Sequence, residues 1–201
     1  MYPKIFRKIF HHVIPPEDRA RHMVEDAVNS AFKLFRDKEF RKEIGFEKME
    51  QIEQDRIFNE LEVTFVGFLY LLIENRLKYF PEERRNYWHS VKGSVFPRFI
   101  NWFKELGIEQ EHIETWEKLV DLRLDEYRGG LEKTRIIWEN SLEQDKTSTE
   151  SMKNEAIILS ALTIAGVLHI RRGESTQADP LNKTLGIYMS LLVQNWNKEI
   201  R

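Results

Sequence analysis

Arg56–Arg76, RIFNELEVTFVGFLYLLIENR, is apolar on nearly every face of a helix and yet holds Glu62 among its phenylalanines. A helix without a polar side belongs at the centre of a bundle, where each face meets another helix. At about 100° per residue, Glu62 shares a face with Phe58, Phe65, Leu69 and Ile73. Glu60 falls nearer Arg56 and is expected to pair with it at the surface. A carboxyl group on the apolar face either keeps its proton, with a raised pKa, or pairs with an Arg or His from another helix. The first state makes Glu62 the polar anchor of an internal pocket. The second makes it half of a structural ion pair.

Glycine and proline mark out the rest of the chain. Pro15-Pro16-Glu17-Asp18 reads as a helix start, with proline in the first turn and acids at the positive end of the helix dipole, and Gly45 reads as its stop. The central helix is then expected over about residues 46–79, thirty-four residues and roughly 50 Å long, with Gly67 the place for a bend. Pro81-Glu82-Glu83 opens the next helix, which is expected to break near Gly93, restart at Ser94–Pro97 and end at Gly107. Ile113, Trp116, Val120, Leu124, Tyr127 and Leu131 form a core-facing stripe at spacings of three and four. Gly129-Gly130 is expected to break or kink that helix. Glu143–Ser151 reads as a loop able to cap the following helix, and Asp179-Pro180 opens a final helix ending near Glu199. No segment alternates apolar and polar residues between turn signals. The fold class is therefore all-α: one somewhat elongated bundle of six to eight helices over residues 16–201, preceded by an arm over 1–15.

Composition excludes several classes of function. The chain has 201 residues, enough for one domain with its own core. Lys plus Arg total 31 against 33 Asp plus Glu, so no global field draws the protein to nucleic acid or anionic lipid. The absence of cysteine excludes thiolate zinc sites, iron–sulfur clusters, disulfides and cysteine nucleophiles. The N-terminus lacks the apolar run of a secretory signal. The longest apolar run, Ala156–Ile170, has fifteen residues where a membrane span needs about 20, which favours a buried helix. Ala161 and Ala165, one turn apart within it, suit close helix packing. A cytoplasmic location is the expectation.

Besides Glu62, three groups of residues carry candidate chemistry. Glu109-Gln-Glu-His112 matches one Glu-x-x-His element of a di-iron bundle, and His22-Met-Val-Glu25 is a reversed pair. A second forward element is missing, and Glu109 and Glu111 sit where a helix start attracts acids anyway, so no metal is assigned and no cofactor is named by the sequence. Arg84-Arg-Asn-Tyr-Trp-His89 places an arginine and a histidine within about a turn and a half of helix. That spacing resembles, over six residues, the short motif of the HEPN family of helical ribonuclease toxins and nucleotide-binding bundles. The resemblance implies acid–base cleavage of RNA by Arg84 and His89. Arg7 and His12 have the same spacing.

The third group is the N-terminal arm, where Tyr2, Ile5, Phe6, Ile9 and Phe10 interleave with Lys4, Arg7, Lys8, His11 and His12, with no acid before Glu17. Ile5, Phe6, Ile9 and Phe10 would contact a partner, either another protein or a second copy of the chain. Alternatively the arm folds back on its own bundle, near the acidic stretch 105–126. Walker loops, Gly-x-Ser-x-Gly elbows and His-Glu-x-x-His motifs do not occur. The first expectation is thus a non-catalytic interaction or regulatory protein. The second is a small-molecule-binding bundle with an aromatic pocket anchored by Glu62, and the third a HEPN-like ribonuclease.

Overall fold

The computed structural model describes residues 14–141, 149–176 and 178–199, and among these it contains seven α-helices and no strand. They are α1 (Pro16–Phe35), α2 (Lys38–Ile44), α3 (Gln51–Arg76), α4 (Glu82–Glu105), α5 (Gln110–Ser141), α6 (Glu150–Ile170) and α7 (Pro180–Glu199), with a 3-10 turn at Phe46–Lys48 before α3. One contiguous hydrophobic core draws from every helix.

α3 is the centre. It packs against α1, α4, α5 and α6, so its whole circumference is covered, and every residue from Glu60 to Leu69 is buried. It is shorter than the sequence suggests, because Phe46–Lys48 forms the 3-10 turn and the helix ends at Arg76. The longest element is α5, whose 32 residues give a rod of roughly 48 Å. A compact chain of this length would be roughly 43 Å across, so α5 is long enough to run the length of the bundle.

The first segment divides where the sequence suggested one helix to Gly45. α1 stops at Phe35, and the Asp37 carboxylate accepts from the Phe40 N–H at 2.9 Å, capping a separate short helix that ends at Gly45 with φ +73°. Two expected breaks are absent. α4 runs through Gly93 and Pro97, and α5 runs through Gly129-Gly130. Pro97 and Gly93 are both exposed, so water can reach the Gly93 carbonyl that loses its helical donor. The starts of α6 and α7 are as expected: Thr149 accepts from Met152 N–H at 3.3 Å and Asp179 from Leu181 N–H at 3.0 Å. α6 is the one described helix long and apolar enough to cross a membrane by length and composition. Its buried side packs on α3, α5 and α7.

Gly67 is a close-packing position. A Cβ there would lie 2.7 Å from Cε2 of Tyr127, a fully enclosed ring whose hydroxyl meets Thr64 Oγ1 at 3.0 Å. Gly67→Ala is therefore expected to cost about 1–3 kcal/mol by overpacking, although alanine favours the helix itself. Gly129→Ala, with nothing within 4 Å of its Cβ, should instead stabilise by about 0.5–1 kcal/mol. Urea denaturation of the two variants measures both signs.

The polar interior is equally specific. Arg56 donates to the last carbonyls of α6, His169 O at 2.8 Å and Ile170 O at 2.9 Å, and pairs with Glu53. Glu60 is therefore free of Arg56 and takes a different partner. It is 6% exposed and receives Arg123 of α5 in a two-point contact, Nε at 2.9 Å and Nη2 at 2.6 Å. The surface Arg56–Glu60 pair suggested by the sequence is replaced by a buried link between α3 and α5.

Candidate functional site

Glu62 and Glu60 are two residues apart on α3, and only Glu60 meets a counter-charge. Glu62 is 1% exposed, and its Oε1 is the one buried carboxyl oxygen among the described residues without a hydrogen-bond partner. Burial alone pushes its pKa up to about 8. At neutral pH the group is therefore mostly the neutral acid, because ionisation without a partner in this environment is unfavourable.

Beside Glu62 is a groove of about 460 Å³, within the range of small-molecule sites. α3 contributes Phe58, Asn59 and Glu62, α4 contributes Trp102 and Phe103, and α5 contributes His112, Thr115, Trp116 and Leu119. The turn from α4 to α5 sets the geometry. Gly107 takes φ +79°, which glycine adopts without strain, and Ile108 N–H bonds back to Phe103 O at 3.1 Å while Gly107 N–H bonds Lys104 O at 3.0 Å. This closure reverses the chain and brings Leu106 and Ile108 to the rim. It also sets Phe103 against Trp116, ring centroids 4.2 Å apart and nearly parallel, with Trp102 tilted 5.1 Å from Phe103. Phe58 closes the other side through contacts with Phe35 and Phe32.

The lining contains no lysine or arginine. His112, exposed on the first turn of α5, is its only ionisable side chain apart from Glu62. A larger cavity of about 600 Å³ beside α2 is lined chiefly by cations such as Lys38, Arg41 and Lys42, but none of its residues has an orphaned buried atom. The groove over Glu62 is thus the concavity where an unmet polar demand and an apolar wall coincide.

The remaining candidate residues are dispersed. Arg84 and His89 are both exposed on α4, and five residues of helix set them about 140° apart. The Arg84 guanidinium lies over the Phe80 ring, 5.4 Å from its centroid. The structure does not bring the two side chains into one cleft. Glu109 is exposed ahead of α5, where its carbonyl accepts from the N–H groups of His112 and Ile113. No cluster of three His, Asp or Glu side chains suited to a metal occurs among the described residues. His112 instead shares the groove with Glu62, which the sequence did not indicate. Ile5, Phe6, Ile9 and Phe10 lie outside the described residues.

In the sequence, Trp102 and Phe103 belong to an aromatic cluster with Tyr87, Trp88, Phe96 and Phe99 whose spacing reads as core, and Trp116 belongs to the core-facing stripe. The signal that unites them is the Gly107 turn, which joins the end of one aromatic stripe to the start of the next. Compared with protein-family models, curated proteins and solved structures, the chain matches none.

Proposed function

We propose that this protein binds a small organic molecule in the groove over Glu62, with the carboxyl group as polar anchor and Trp102, Phe103 and Trp116 as the apolar wall. The observation that carries this reading is the orphaned Oε1 of a 1%-exposed carboxyl group whose residue lines a groove of about 460 Å³. Buried polar atoms are almost always paired, and one left open beside a cavity fits a partner supplied by a ligand. The groove's one hydroxyl side chain, Thr115, donates to the Glu111 carbonyl of its own helix, and no metal cluster occurs among the described residues, so binding is the simplest use of the site.

The neutral apolar dye 1-N-phenylnaphthylamine tests this reading. Saturable binding at one site per chain, with energy transfer from the groove tryptophans, is expected. Thr115→Trp, at an exposed lining position, should weaken it at least about tenfold by filling the groove. Unsaturable binding, or affinity indifferent to Thr115→Trp, would contradict the reading. The rival reading, an interaction protein engaging its partner through Ile5, Phe6, Ile9 and Phe10, draws its support from the sequence alone.

A further inference from the structure

Building on the groove as a ligand site, we propose that its ligand is a protonated primary or secondary amine carried on an apolar or aromatic body, with an ammonium N–H donated to Glu62. Three features converge on that chemistry.

The first is the acceptor. Glu62 Oε1 is enclosed, has no donor from the protein, and belongs to a side chain that becomes an acceptor of full charge when it ionises. An ammonium N–H supplies both the missing hydrogen bond and the missing counter-charge. A ligand without a donor leaves the oxygen as orphaned as before.

The second is the sign of the lining. With no lysine or arginine around the groove, an anionic ligand would meet a carboxyl group and no cation from the lining. Once Glu62 ionises, the charge complement of this surface is positive. The third is the wall. Trp102, Phe103 and Trp116 line the groove, and aromatic rings, being electron-rich, accommodate a cation beside them better than aliphatic side chains do. The same rings, with Leu106, Ile108 and Leu119 at the rim, cover an apolar body of the ligand.

The proton balance is simple. The Glu62 carboxyl releases its proton to solvent as the ammonium arrives, and the ammonium keeps its own protons. α4 contributes no ionisable side chain to the lining, α1 and α6 contribute none of the lining at all, and His112 of α5 is the one other titratable group there.

The test uses three fragments of matched size: 2-phenylethylamine, 2-phenylethanol and phenylacetate, each titrated into the full chain and followed by backbone NMR shifts of groove residues. The amine should bind at least about tenfold more tightly than the alcohol, and the acid more weakly than either. Glu62→Gln should remove the amine's advantage over the alcohol. A second variant, Thr115→Lys, places an ammonium at an exposed position of the lining. It should weaken the amine and strengthen the acid while leaving the fold intact. An alcohol that equals or outcompetes the amine, or an amine advantage that survives Glu62→Gln, overturns the amine proposal while the groove remains a ligand site. If none of the three fragments moves groove resonances, the ligand-site reading falls as well.

Discussion

Raising the pH from 5 to 9 should destabilise the wild-type protein by about 4 kcal/mol more than it destabilises Glu62→Gln. The cause is the Glu62 carboxyl, raised from an ordinary 4.5 to about 8 by burial. Its folded-state pKa lies above its unfolded one, so between those values the folded chain holds a proton that the unfolded chain has lost. Folding stability from this group is therefore fully present below pH 4.5, falls as pH rises, and levels off above pH 8. Gln is the uncharged near-isostere and removes the whole dependence.

Comparison with the variant also cancels the other titrating groups. Glu53, held down to about 2 by Arg56 and Arg172, matters only at acid pH. His169, lowered chiefly by burial, is destabilising only below its ordinary range. Guanidinium unfolding at pH 5, 7 and 9 gives the curves. Parallel curves for the two proteins would mean that Glu62 is solvated or paired in the folded state.

Arg123→Met should cost about 3–5 kcal/mol, because it strands Glu60 as a buried carboxylate without its two hydrogen bonds. The pair itself need not stabilise the fold. Two desolvated ions in good geometry often do no better than apolar residues of similar volume. Glu60→Leu combined with Arg123→Met should therefore recover most of the loss seen in Arg123→Met alone, and the double-mutant cycle reads that coupling directly. Arg123 also holds Glu126 at 2.8 Å, but that carboxylate is 43% exposed and its contact contributes little. A cost below about 1 kcal/mol for the single change would show that Glu60 finds water when its partner is removed.

The contrast between Glu60 and Glu62 shows where sequence reasoning holds and where it ends. The uniform apolarity of residues 57–73 was legible because it has one physical solution, a helix covered on all sides. The same coverage defeated the assignment of Glu60 to the surface. On a helix with neighbours all round there is no wet face to receive it, and its partner lies 63 residues away on α5 with no local signal.

Glycines were read as punctuation, yet Gly67 has its own reason to be there, the Tyr127 ring, and Gly129 sits in open space on an uninterrupted helix. The anchor of the groove was legible because a lone acid on an apolar stripe is rare. Its wall was not, because Trp102, Phe103 and Trp116 read as ordinary core until the Gly107 reversal folds α5 back beside α4.

The central claim is that Glu62 stands unpaired in an apolar environment at the foot of the groove. A pH titration of the Glu62 side-chain carboxyl carbon by NMR, on the folded protein with specific ¹³C labelling, measures that most directly. A midpoint near pH 8 is predicted, with the side chain still protonated at pH 7. A midpoint near the ordinary value of 4.5 would place the carboxylate in water or against a cation and would contradict the account.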